Sequence, residues 1–321
     1  MDKYRILSHV GEGTYSNVYK ACNIQTSELV ALKRIGPTQN VMMKEVLQHA
    51  KRELEGSKKL HHENVVSLLD YFESEDDLTH TFIYPFLPLD LHGLLRNGPP
   101  LSALQIKSCA YMLFRGLDYI HECGFMHRDI SPTNVLISPE GVLKISDFGT
   151  AVMAKANENK SAHVGTRWYR APELLFASSN YTCAIDVWSA GCVFAELFIR
   201  DKALFCGRSD IHQVICIFEL LGTPDELTWP EWKDMPDYGK ILFQPLPALP
   251  LDKRIPASLD ALRILEKILV YSASRRISCE QVLKYPYFTH ETIPLRLDVD
   301  VRSIADELAS SGSEILDYSS E

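Results

Sequence analysis

The hydrophobic period changes about a third of the way along this 321-residue chain, and no other feature constrains the fold as much. Before the change the pattern is mostly β. "YRILSHV", "NVYKAC" and "LVALKRI" read as short strands, with Gly11 and Gly13 at the first turn. "VVSLLDYFE" and "HTFIYPFL" read as two more. Pro85, inside the second, would spoil a central strand and is expected to make the segment a connector there. One helix interrupts them: "NVMMKEVLQHAKRELEGSKKL" sets Val46, Leu47, Ala50 and Leu54 on one side.

After residue 100 the spacing is helical. "LSALQIKSCAYMLFRGLDYIHECG" opens on Ser102 and Gln105, a capping-box pair, and stops at Gly124. Between them Ile106, Ala110, Leu113, Leu117 and Ile120 follow at steps of four and three. "AIDVWSAGCVFAELF" and "LDALRILEKILVY" read as further buried helices, and the segment from "LLGTPDELTWPEW" to "DKRIP" as Pro-rich and irregular. The acidic tail, 289–321, with "ASSGSE" inside it, is expected to be mobile. The expected class is α+β: a small β-rich lobe with one key helix (1–87), then a larger helical lobe (88–288).

Net charge of -9 argues against a general nucleic-acid or anionic-membrane surface, so neither kind of partner is expected. No signal peptide is read at "MDKYRILSHV", and no uncharged apolar run is long enough for a membrane span. None of the eight cysteines forms a CxxC pair and several lie in apolar runs, as buried free thiols do in a reducing, intracellular compartment.

Chemistry concentrates in a few short motifs. "GEGTYSNV", Gly11 to Val18, lies between two strands; its glycines suit close approach to phosphates, and equally suit a plain hairpin turn. Ser16 stands where a third glycine would complete the phosphate-loop pattern. "VALK" puts Lys33 at a strand end, and Glu53 on the next helix is placed to pair with it. "HRDISPTN" holds Asp129 and, five residues on, Asn134; "DFG" puts Asp147 eighteen residues after Asp129. Together these supply a base to orient an attacking hydroxyl and two oxygen ligands for Mg²⁺. "APE", Ala171 to Glu173, closes the segment that Asp147 opens.

In this order and spacing the motifs are specific, and the chain from about Tyr4 to Phe288 resembles a eukaryotic protein kinase. The resemblance implies the bilobal kinase fold and an ATP site. Val10, Val18, Ala31 and Leu136 would sandwich the adenine, with Tyr84 at the gatekeeper position and Leu87 offering hinge hydrogen bonds. Gly11, Glu12, Gly13, Thr14, Tyr15, Ser16 and Asn17 would form the phosphate loop. Pro85 replaces the usual acidic hinge residue but keeps the one group needed there, its carbonyl. Lys33 would pair with Glu53, Asp129 would position the substrate hydroxyl with Thr166 bridging to it, and Asn134 and Asp147 would hold Mg²⁺. Glu173 would pair with Arg276, and Asp186 would support the catalytic loop.

Within kinases, "GTRWYRAPELL" and "FELLGTPDELTWPEW" are similar to the cyclin-dependent kinase group, closest to cell-cycle-related kinases and those that activate cyclin-dependent kinases. That implies serine/threonine specificity, protein substrates that extend to other cyclin-dependent kinases, and a place in the nucleus or cytoplasm. Thr14, Tyr15 and Ser161 match regulatory phosphorylation positions of the group.

Three departures matter. Ser131 replaces a lysine that normally reaches the γ-phosphate, and serine brings a hydroxyl without the charge. Val152 replaces an arginine that, with Arg52 and Arg128, would clamp a phosphate on Ser161. The helix before Glu53 lacks the "PSTAIRE" docking pattern for cyclins, which leaves a cyclin-like partner open; Met42, Met43 and Val46 are either a partner surface or lobe packing. Two readings follow: an active protein kinase with altered electrostatics, or a pseudokinase scaffold, which Ser16 and Ser131 would favour. Retention of Lys33, Glu53, Asp129, Asn134 and Asp147 favours the enzyme.

Overall fold

The computed structural model describes residues 3–37, 42–74, 78–155, 160–200 and 202–311. The small lobe contains β1 (Tyr4–Glu12), β2 (Ser16–Asn23), β3 (Leu29–Ile35), α1 (Met43–Lys59), β4 (Asp70–Ser74) and β5 (Thr79–Pro85). The strands make one antiparallel sheet in the order β1-β2-β3-β5-β4. Lys33 therefore stands on a central strand, opposite Val18 on one side and Phe82 on the other. Pro85 pairs with Val30 as the last residue of β5, after which the chain leaves the sheet.

α1 packs on this sheet through Val46 and Ala50, which join Ile35, Val66, Phe82 and Tyr84 in the lobe's core. Leu47, expected on the same side, points outward and is 43% exposed. Glu53, Gly56 and Ser57 complete the buried stripe, so a carboxylate and a hydroxyl lie on the face turned to the sheet.

The linker runs through β6 (Leu89–Asp90) into α2 (Leu91–Asn97) and then α3 (Ala103–Glu122). The capping box of Ser102 and Gln105 forms, all five expected apolar residues of α3 are buried, and Gly124 turns the chain at φ +80°. Three short strands, β7 (Phe125–Met126), β8 (Val135–Ile137) and β9 (Leu143–Ile145), carry the loops of the cleft, and β10 (Val152–Met153) pairs back onto β7. α4 (Pro172–Leu175) leads to α5 (Ala184–Ile199), apolar nearly all round and buried at the centre of the large lobe. α6 (Asp210–Leu221), α7 (Leu259–Ile268), α8 (Cys279–Leu283) and α9 (Pro286–Thr289) complete the lobe, with α3 and α7 packed on α5, α8 on α3 and α6 on α4. The Arg276 guanidinium grips the Glu173 carboxylate with two hydrogen bonds of 3.0 and 3.2 Å, and both side chains are buried. Removing one partner of such a pair costs about 3–5 kcal/mol. All eight cysteines are free thiols. No helix among the described residues is long and apolar enough to cross a membrane.

The described part of the tail lies against the large lobe. After α9 the chain lies along the large lobe, with Leu297 N–H donating to the Gly141 carbonyl at 2.8 Å and Gln105 Nε2 to that of Asp298 at 2.9 Å. It then forms α10 (Val301–Ser311), which packs on α2 and β6. Leu297, Val301 and Ile304 are buried, and Leu308 packs on the same core. An apolar stripe at steps of four, three and four anchors this segment despite its acidity. Of "ASSGSE", the first three residues end α10 and the rest lie outside the described residues.

Candidate active site

The two lobes enclose a cleft of about 370 Å³. Val10, Gly11, Glu12, Gly13, Ser16 and Val18 form its roof, Ala31 and Leu136 face it from above and below, and Tyr84 to Asp90 form its edge. Lys33, Asn134 and Asp147 line its inner end. Thr14, Tyr15 and Asn17, expected with the phosphate loop, do not line it. Thr14 is exposed, Tyr15 stacks on His49 with ring centroids 4.5 Å apart, and Asn17 bonds His9. For Asn17 strand alternation is the cause, since it follows Ser16 in β2 and turns to the other face; Thr14 and Tyr15 stand in the turn between β1 and β2. Val66, Thr133, Ser146 and Phe148 also line the cleft and were not expected to.

Lys33 is 7% exposed and sits between two carboxylates, 3.0 Å from Glu53 Oε2 and 2.9 Å from Asp147 Oδ1. Burial alone would lower the Lys33 ammonium, but Asp147 and Glu53 outweigh it and hold the group above its ordinary value, fully charged. For Asp147 burial works upward, and Lys33 with the Gly149 N–H overcomes it, so the net direction is down and the carboxylate stays ionised. Glu53 is pushed up by burial, with Lys33 and Tyr84 pulling back.

Two glycines let α1 approach the Asp147–Gly149 segment closely. A Cβ on Gly56 would stand 2.9 Å from the Phe148 Cβ, and one on Gly149 would meet the His49 ring at 2.0 Å. Burial, with Lys33 nearby, takes the His49 imidazole down to about 4, so it packs there uncharged. The ligand atoms of His49, Glu53 and Asp147 lie within 4.8 Å of one another, but the Lys33 ammonium already bonds two of the three and would repel a metal ion there.

The loop from His127 to Asn134 hangs on Asp186, which is fully buried. Its carboxylate accepts the N–H of His127 at 2.8 Å and of Arg128 at 2.7 Å. These bonds hold Arg128 at φ +71°, and Asp147 has φ +65°; such backbone costs on the order of 1–3 kcal/mol per residue. Asp129 Oδ1 accepts both the N–H and the hydroxyl of Thr166 at 2.8 Å, and Oδ2 accepts from Asn134 Nδ2 at 3.0 Å. With that amide nitrogen committed to Asp129, and Asp147 Oδ1 to Lys33 and Gly149, each ligand residue keeps one oxygen for a hard cation. The donor set thus fits Mg²⁺.

Ser131 is 1% exposed and pairs with the Thr133 hydroxyl at 3.0 Å, closed inside its loop. Val152 pairs with Met126 in β10 and packs on the core, so an apolar strand anchors the segment where an arginine was expected. Arg128 bonds the Thr150 carbonyl at 2.6 Å and the Tyr181 hydroxyl at 2.8 Å. Ser161 is exposed, and its Oγ donates to the His163 carbonyl at 3.3 Å.

Every residue of this site falls within a match to the protein kinase domain over residues 4–288, and α10 lies beyond it. The chain is 40% identical over 299 residues to cyclin-dependent kinase 20 of Danio rerio, an overlap covering 92% of this chain and 86% of that protein. It is 39% identical over 302 residues to cyclin-dependent kinase D-1 of Arabidopsis thaliana, covering 92% and 74%. It is 37% identical over 304 residues to cyclin-dependent kinase 20 of Rattus norvegicus, covering 92% and 85%. Kinases of this fold take ATP as phosphoryl donor and Mg²⁺ as the usual metal, and act on proteins. The chain belongs to the protein kinase family and, within it, to the cyclin-dependent kinase group of serine/threonine protein kinases.

Proposed function

We propose that this chain binds ATP in the cleft between its lobes and transfers the γ-phosphoryl group to Ser or Thr of protein substrates, among them other kinases of its own group. The observation that carries this reading is the assembled pair of networks: Lys33 between Glu53 and Asp147, and Asp129 between Thr166 and Asn134. A scaffold without catalysis has no need of both.

In this reading Val10, Val18, Ala31 and Leu136 hold the adenine, and the backbone of Pro85 and Leu87 faces its edge. A Cβ on Gly11 would meet nothing within 4 Å, so packing does not demand glycine there; close approach of a phosphate does. Lys33, oriented by Glu53, takes the α- and β-phosphates. Asp129 receives the substrate hydroxyl and orients its oxygen toward the phosphorus, with Thr166 fixing the carboxylate. Asn134 and Asp147 would hold Mg²⁺, which when bound neutralises charge on the phosphates.

We also propose that the chain works without a cyclin and without phosphorylation of Ser161. Arg128 is satisfied by Tyr181 and Thr150, and α1 already stands in place against the sheet. The free cysteines fit an intracellular site, nuclear or cytoplasmic. The test is phosphoryl transfer by the purified, phosphatase-treated chain from labelled ATP to catalytically dead kinases of its group and to a Ser/Thr peptide panel, with Asp147→Asn as blank. Transfer to Ser or Thr that vanishes in the blank is expected. Nucleotide binding without transfer to any substrate would favour the scaffold.

A further inference from the structure

We infer that Tyr84 is a positioning residue for phosphoryl transfer: its hydroxyl, supported by Ser57, holds the Glu53 carboxylate in the orientation that presents Lys33 to the cleft. Tyr84 lines the cleft near the end of β5, and it is 8% exposed. Its hydroxyl lies 2.6 Å from Glu53 Oε1 and 2.7 Å from Ser57 Oγ.

Proton counting fixes the direction of both bonds. Glu53, ionised beside Lys33, only accepts, so the one phenolic proton goes to it; Ser57 must then donate to the phenol oxygen. Burial and the Glu53 carboxylate push the Tyr84 phenol well above its ordinary value, so it keeps that proton. Glu53 and Ser57 lie one turn apart on α1, so a single hydroxyl from the sheet bonds two successive turns of the helix. Oε2 of the same carboxylate takes Lys33 at 3.0 Å. Both carboxylate oxygens are thereby bonded. Outward movement of α1 would strand the hydroxyls of Tyr84 and Ser57, which is itself 0% exposed, away from water.

The Tyr84 ring also packs in the core of the small lobe, beside Phe82 with centroids 6.4 Å apart. Tyr84→Phe keeps that packing and removes only the hydroxyl, so it separates positioning from bulk. A hydrogen bond to a charged group is worth roughly tenfold or more in rate when it acts only on the reacting geometry. We expect Tyr84→Phe to lower kcat by about tenfold or more while KM for ATP moves by less than about threefold. Ser57→Ala should lower kcat by roughly threefold in the native background and add nothing on top of Tyr84→Phe, because Ser57 acts through the phenol. Hydrogen exchange should quicken in α1 and stay unchanged in α5.

This inference rests on Lys33 being the phosphate-side cation, so Lys33→Arg is run beside it. An active Lys33→Arg would remove that premise; an inactive one with Tyr84→Phe within about twofold of native kcat overturns the inference alone. Losses that multiply in the double variant would equally overturn it. Should Tyr84→Phe not fold, Ser57→Ala decides: no change in either kcat or α1 exchange refutes the relay, and a change in both sustains it.

Discussion

The Nζ atom of Lys160 lies 3.0 Å from the carbonyl of Tyr181, and the Tyr181 hydroxyl donates to the Ser161 carbonyl at 2.8 Å. The same hydroxyl accepts from Arg128 at 2.8 Å. Two adjacent residues of the segment between Asp147 and Glu173, Lys160 by its side chain and Ser161 by its carbonyl, are thus tied to one residue beyond it, and that residue to the catalytic loop. The Lys160 ammonium also lies 5.5 Å over the Tyr181 ring. β10 holds the start of the segment by pairing with β7.

It follows that the Ser161 side chain contributes little to order. Ser161→Ala is expected to keep at least about a third of native kcat/KM on one protein substrate, and phosphatase treatment of the native chain to change it no more. Tyr181→Phe removes a hydrogen bond to a charged group, about 1.5–3 kcal/mol, and should cost roughly tenfold or more. A hundredfold loss in Ser161→Ala would instead assign order to a phosphate.

Ser131 gives a second expectation. It sits in its loop with Thr133 and makes none of the hydrogen bonds to Asp129, so the base keeps its partners whatever stands there. Ser131→Lys should preserve or raise kcat. Its stem must leave a nearly closed position, and such overpacking costs about 1–3 kcal/mol, a few degrees or more in Tm for a chain of this size. Loss of turnover with Tm unchanged would show a cleft built around the serine.

The site was legible where chemistry demands a residue type at a set spacing. Lys33, Glu53, Asp129, Asn134, Thr166 and Asp147 come together, and Asp186 supports the loop. The Tyr84–Ser57 and Lys160–Tyr181 contacts were not legible: they join residues 27 and 21 positions apart, and only the packing of α1 on the sheet and of the loop on the large lobe selects them. Other misses were readable. The period of two in β2 already turns Asn17 away when Ser16 faces the cleft, and Leu297, Val301, Ile304 and Leu308 spell a helical stripe beneath an acidic surface.

Asp90 should make stability depend on pH. Burial pushes its carboxyl up to about 6, against the pull of the Gly93 N–H that it caps at 2.6 Å. A raised acid pKa means the native state binds the proton more tightly than the unfolded chain, so the contribution is full below about 4 and is lost as pH rises to about 6. The Asp90→Asn variant keeps a capping oxygen and does not titrate there. Urea unfolding of native and Asp90→Asn protein should show the native chain losing about 1–2 kcal/mol relative to the variant between about pH 4.5 and 7, less than the full shift implies because Asp90 is partly exposed. A constant difference would mean that Asp90 titrates normally.

The docked tail yields the last expectation. Ile304 is 7% exposed on α10, and a Cβ added to Gly98, just after α2, would stand 3.4 Å from its Cδ1. Leu308, one turn on, lies likewise against Gly93 at 3.1 Å. α2 follows directly from β6, whose Leu89 and Asp90 line the cleft edge, so α10 braces the linker between the lobes from behind. Ile304→Asp puts a carboxylate into that apolar contact, and the cheapest response is for α10 to leave the surface. The cost is then the burial of a few apolar side chains, each about 1.5–3 kcal/mol when complete, less the entropy regained by the freed helix. Tm should fall by several degrees, hydrogen exchange should quicken in α2, and the conservative Ile304→Val should do neither to more than a small extent. Native Tm and native α2 exchange in Ile304→Asp would show that the segment after Phe288 does not brace the domain.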